Sequence, residues 1–123
     1  MSTTTKILVA DDDQDMLDML DSLLTKAGYT VIRAENGLEA VEKTRKELPA
    51  LVMLDIHMPE MDGLKACKEI KSSQFTKSVP VIMLTIKGSM SQIQRAISYG
   101  AKTYLTKPAS PEEILKVVKS ILS

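Results

Sequence analysis

Five short runs of apolar and β-branched residues punctuate the chain, and between them hydrophobic side chains recur every three or four positions. Residues 7–10, 29–34, 51–54, 79–84 and 103–106 carry little polar alternation, which predicts strands buried on both faces of a sheet. Pro80 is compatible with the fourth of these only near its start. The intervening segments read as helices. Met16, Leu17, Leu20, Leu23 and Leu24 mark the first, closed by Gly28. Asn36 is the expected N-cap of the second, with Leu38, Val41 and Leu48 as its buried stripe and Pro49 as its stop. Leu64, Cys67 and Ile70 mark the third, which gives way to a polar loop over residues 72–78. The fourth is expected to begin near Ser89 or Ser91, turn Ile93, Ala96 and Ile97 inward, and end at Gly100. Ser110, Pro111 and Glu113 then form a strong helix start: an N-cap, a proline at the first helical position and a capping-box glutamate. Ile114, Leu115, Val118, Ile121 and Leu122 give the last helix its apolar face.

Strands joined through single helices must pair in parallel, because each crossover returns the chain to the same end of the sheet. The pattern therefore predicts a doubly wound α/β fold, three layers thick, with residues 1–123 as one domain. In such open sheets ligands bind beyond the carboxyl ends of the strands. The residues that close the strands are informative: Asp11 and Asp12 the first, Asp55 the third, Thr85 the fourth and Lys107 the fifth.

Composition narrows the chemistry without redirecting it. Hydrophobic residues make up 44% and charged residues 26%, with 16 basic against 16 acidic side chains. That balance indicates neither disorder nor bulk attraction to nucleic acid. The single Cys67 excludes an internal disulfide and reads as a small core residue in a reducing compartment. The start MSTTTK has no apolar signal region, and no run approaches the length needed to cross a bilayer, so no membrane insertion and a cytoplasmic location are expected. The eight methionines read as core filling.

Two unit charges 4 Å apart repel by about 4 kcal/mol at an effective dielectric of 20, so three clustered carboxylates cost on the order of 10 kcal/mol unless cations relieve them. Lys107 supplies one cation. A hard divalent ion with oxygen ligands, Mg²⁺ above all, neutralises several carboxylates at once. Acids, a lysine and a hydroxyl together suit phosphoryl chemistry, with a carboxylate as nucleophile and Lys107 and Thr85 holding the transferred oxygens. Asp13, one place beyond the acidic pair, reads as a helix cap instead. Asp11, Asp13 and Asp15 imitate the start of a calcium loop, but Met16 occupies its glycine position and Ser22 its closing glutamate position.

The pieces ILVADD, LVMLDIHMPEMDG, PVIMLT and GAKTYLTKP, in this order and spacing, resemble the receiver domains of two-component response regulators across essentially the whole chain. The resemblance implies the CheY-like, flavodoxin-like form of the fold, five parallel strands in the order 2-1-3-4-5 flanked by five helices. It implies a phosphorylatable signalling switch in which Asp55 accepts a phosphoryl group from a sensor histidine kinase or histidine phosphotransfer protein. Asp11, Asp12, Asp55 and the backbone carbonyl of His57 match the family's Mg²⁺ ligands. Lys107 matches the lysine that pairs with the phosphoryl group, Thr85 the hydroxyl that swings toward it, and Tyr104 the aromatic residue that turns inward in response. Pro108 matches the proline whose preceding peptide bond is cis.

A different class also forms aspartyl phosphates on an α/β sheet: small phosphohydrolases, which place a second aspartate two residues after the nucleophile. Here that position is His57, which argues for a switch that assists its own phosphorylation and dephosphorylation over an enzyme of turnover. No glycine-rich phosphate loop for a nucleotide is present. The residue after Thr85, usually small in receivers, is Ile86, from which slow reaction with small phosphodonors is expected. Lys87 and His57 flank the pocket. With no DNA-binding segment after Ser123, output is expected through a protein effector on the face of helix four, strand five and helix five, without direct contact to nucleic acid. Residues 70–111 contain no acid but include Lys71, Lys77, Lys87, Arg95, Lys102 and Lys107, which read first as ordinary solvated charge and, as the sharper alternative, as the match to an acidic docking surface on a partner.

Overall fold

The computed structural model describes residues 4–86 and 90–123. The chain alternates strand and helix throughout: β1 (Lys6–Ala10), α1 (Gln14–Lys26), β2 (Thr30–Ala34), α2 (Gly37–Glu47), β3 (Leu51–Asp55), α3 (Gly63–Ser72), β4 (Val81–Ile86), α4 (Met90–Ser98), β5 (Thr103–Lys107) and α5 (Pro111–Leu122). The strands form one parallel sheet in the order β2-β1-β3-β4-β5. Sequence order reverses at β1 and β3, and that switch point opens a crevice at their carboxyl ends.

Period-two alternation along the strands feeds two cores. Ile7, Val9, Leu51, Met53, Ile82 and Leu84 pack under α1 and α5, against Leu17, Leu20, Leu24, Ile114 and Val118. Leu8, Ala10, Val52, Leu54, Val81 and Met83 face α2, α3 and α4, against Val41, Leu64, Cys67, Ile70 and Ala96. Every residue of β3 is buried, as its unbroken apolar run requires.

Short polar side chains fix the helix starts. Asp13 accepts the amides of Asp15 and Met16, Asn36 that of Glu39, Asp62 that of Lys65 and Ser110 that of Glu113, with Pro111 in the first turn. Each such cap contributes about 1 kcal/mol. Gly28 and Gly100 follow α1 and α4 at φ 101° and 115°, where a side chain would be strained.

The outcome departs from the sequence pattern in four places. Leu38 and Leu48 are exposed, and the buried face of α2 is Gly37, Ala40, Val41 and Thr44. Leu48 leaves the helix in the left-handed region, φ 45°, which swings its side chain off the apolar stripe. Ile97 is exposed, leaving Ile93 and Ala96 to anchor α4. β4 starts at Val81, not residue 79: Val79 closes a turn on Thr76, and the Pro80 carbonyl accepts from Val52. The polar loop before it is tied down by buried Thr76, whose hydroxyl donates to Ile70 O at 2.6 Å. Helix α4 is described from Met90, in keeping with a start near Ser89 or Ser91; Ser89 itself lies outside the described residues.

Candidate functional site: an acidic pocket at the carboxyl rim

Parallel pairing brings the ends of β1, β3, β4 and β5 to one rim, and with them Asp11, Asp55, Thr85 and Lys107. Asp11 is fully buried just past β1; its Oδ1 accepts the Asp13 amide at 3.0 Å, which bends the chain into α1. Asp55 ends β3 only 7% exposed, while Asp12 is open to solvent. One carboxylate oxygen from each of the three lies within 4.8 Å of the others. Lys107 reaches in from β5: its Nζ donates to Asp11 Oδ2 at 2.6 Å and stands 3.2 Å from Asp55 Oδ1.

These contacts set the protonation of the site. Burial pushes the Asp55 carboxyl from 3.8 up to about 6; the charge of Asp11 adds to the rise, and Lys107 opposes it. Burial alone would draw the Lys107 ammonium down, but the Asp11 hydrogen bond and the Asp55 charge outweigh it, leaving its pKa above the ordinary value. One ammonium against three carboxylates leaves the pocket with a surplus of negative charge. All the donors are hard oxygens, and the spacing suits one small cation, so the residues present fit Mg²⁺.

Thr85 is buried, and its hydroxyl donates to the Ile86 carbonyl at 3.2 Å, so it lies at the rim without engaging the carboxylates. Tyr104 is on the edge strand β5 beside Met83 and is 38% exposed. The His57 side chain is exposed and outside the acidic cluster. The Lys107–Pro108 peptide bond is cis. Ile86 is 56% exposed, and Lys87 lies outside the described residues.

Two glycines that the hydrophobic pattern left without a task shape the pocket's edge. The Gly63 amide donates to Ile56 O at 2.7 Å, and a Cβ there would collide with the Asp55 backbone carbonyl. The Gly37 amide donates to Met61 O at 2.8 Å, and a Cβ there would collide with that carbonyl. The loop between β3 and α3 is thus clamped from both sides, with Glu60 held at φ 67°. A glycine at a helix start was the available signal, but its partners are distant in sequence.

The profile of the response regulator receiver domain matches residues 7–119. The chain belongs to the response regulator receiver domain family. It is 40% identical to the chemotaxis protein CheY of Bacillus subtilis over 119 residues, 96% of this chain and 98% of that protein. It is 42% identical to the probable transcriptional regulator ycf27 of Pyropia yezoensis over 117 residues, 95% of this chain and 47% of that protein. This receiver therefore spans about half the length of several curated relatives it matches and nearly all of others. A putative response regulator from Chloroflexus aurantiacus superposes with a TM-score of 0.92 at 38% identity, covering 98% of both chains. The receiver is a phosphorylatable signalling switch, a phosphoacceptor of two-component systems.

Proposed function

We propose that Asp55 is the phosphoacceptor of this receiver and that a phosphohistidine on a kinase or phosphotransfer protein is its donor. The observation that carries the assignment is the meeting of Asp55, Asp11, Asp12 and Lys107 at one buried rim. An Asp55 carboxylate oxygen attacks the phosphorus, the P–N bond to the donor imidazole breaks, and the imidazole takes a proton as it leaves. Asp11, Asp12, Asp55 and the His57 backbone carbonyl would hold Mg²⁺, which supplies the positive charge that lets an anionic nucleophile meet an anionic phosphoryl group. The Lys107 ammonium, already 3.2 Å from Asp55, exchanges part of its carboxylate contact for a phosphoryl oxygen. The Thr85 hydroxyl leaves the Ile86 carbonyl and donates to a second phosphoryl oxygen.

That rotation frees space beside β5 into which the exposed Tyr104 ring turns, altering the face formed by α4, β5 and α5. Ile97, Met90 and Tyr104 already present apolar surface there, suited to a protein effector. The same pocket assists loss of the phosphoryl group to water. Turnover of small phosphate esters is disfavoured because position 57 offers an exposed imidazole where a hydrolase of this chemistry has a carboxylic acid.

Incubation with a radiolabelled phosphohistidine donor and Mg²⁺ tests the assignment. The parent should acquire an acid-stable, alkali-labile label and Asp55→Ala none. Full labelling of the variant refutes the role of Asp55, and continuous phosphate release from small esters would favour the hydrolase.

A further inference from the structure

The acid-free stretch of residues 70–111 does more than spread positive charge over the surface. It folds so that Lys71, at the end of α3, and Lys102, just before β5, line one cleft of about 280 Å³ with Ser78, Pro80, Gly100 and Ile121. The cleft sits at the amino ends of β4 and β5, opposite the acidic pocket. A six-residue strand such as β4 separates the two rims by about 20 Å.

Lys71 is held in place from two directions. Its Nζ donates to Val79 O at 2.9 Å, and its aliphatic stem crosses Gly100 so closely that an added Cβ would lie 3.1–3.2 Å from its carbons. One of its three N–H donors is thereby used and two remain. Among the described residues, neither Lys71 nor Lys102 has a carboxylate within ion-pair distance. Burial lowers the Lys71 pKa; Cys67 opposes the fall, and the neighbouring Lys102 adds a smaller push in the same direction as burial. Anchoring the Val79 carbonyl accounts for Lys71 but gives no reason for a second, unpaired lysine beside it.

We propose that this cleft binds a small divalent oxyanion, a phosphate or a phosphate monoester, between the Lys71 and Lys102 ammonium groups with the Ser78 hydroxyl as a further donor. Two cations with no counter-charge match a dianion, and charge-assisted N–H···O bonds are the strong ones. The volume falls just below the range of about 300–1,000 Å³ typical of sites for drug-sized ligands, which favours a small group. Binding here is separate from phosphoryl transfer, because the carboxylates lie at the other end of the sheet.

The test is a ¹⁵N amide titration of the full chain with inorganic phosphate in EDTA, against chloride at equal ionic strength. Saturable shifts are expected at Ser78, Gly100 and Lys102, with affinity reduced about tenfold or more in Lys102→Gln and in Lys71→Gln, since each removes one charged donor. Lys102 is exposed, so its variant remains folded even if Lys71→Gln does not. Equal shifts with chloride, shifts centred on Asp11 and Asp55, or unchanged affinity in Lys102→Gln would overturn the proposal. So would association with phosphatidic acid vesicles without any response to inorganic phosphate, which would mark a headgroup site.

Discussion

Replacing Asp55 by asparagine should make the fold more stable, although it abolishes the proposed phosphoacceptor. The ionised carboxylate is held almost out of water near buried Asp11, and the rise of its pKa from 3.8 to about 6 measures the cost. A shift of about two units corresponds to about 3 kcal/mol at 1.36 kcal/mol per unit. The pocket opens to solvent at Asp12, and screening there cuts the figure to about 1–2 kcal/mol. Lys107 keeps its 2.6 Å bond to Asp11 in the variant, so no new unpaired charge offsets the gain. Urea unfolding of Asp55→Asn at pH 7.5 in EDTA should show a midpoint higher by about 0.5–1 M with an unchanged slope.

The pH dependence has a definite sign. The folded carboxyl binds its proton near 6 and the unfolded one near 3.8, so between these values the folded state holds more protons. The parent therefore loses stability from this site as pH rises from about 4 to 6, and the advantage of the variant should vanish near pH 4. A midpoint equal to or below the parent's at pH 7.5 would refute the electrostatic reasoning.

Lys107→Ala should have the opposite effect, lowering stability in EDTA by about 2–4 kcal/mol, because it strips the partner from fully buried Asp11. Gly63→Ala should cost more than about 3 kcal/mol by urea unfolding, since its methyl group has nowhere to go but into the backbone of β3. Cys67, fully buried with its thiol pushed up to about 11 by burial, should resist a thiol-specific reagent at pH 8 and react on addition of denaturant; rapid native labelling would contradict the core assignment. Ile86→Ala should speed labelling by small phosphodonors, and equal rates of labelling and decay in variant and parent would remove Ile86 from the account of access.

Much of this was written in local pattern. Unbroken apolar runs located the strands, and their polar terminators, Asp11, Asp55, Thr85 and Lys107, fell on one rim because parallel pairing leaves them no other place. Serine, asparagine and aspartate caps were legible for the same reason: their partners are two or three residues away. The misplaced residues sit at the margins of helical stripes. Spacing alone put Leu38, Leu48 and Ile97 inside, yet their exposure depends on how far each neighbouring layer reaches. Val79 is apolar because it is buried in a turn, not because it pairs in the sheet. The tasks of Gly37 and Gly63 depended on contacts that only tertiary structure creates.

The clamp on the loop between β3 and α3 gives the pocket two unequal walls. On one side the Gly37 and Gly63 amides fasten the backbone to α2 and to the end of β3, with no room for even a methyl group to intervene. On the other, the Thr85 hydroxyl is held by one 3.2 Å bond to an adjacent carbonyl, and the Tyr104 ring stands partly in solvent. If Asp55 takes the phosphoryl group as proposed, the added bulk meets a fixed jaw on the Gly37 and Gly63 side. The proposed displacement then runs toward β4 and β5, where fewer contacts oppose it.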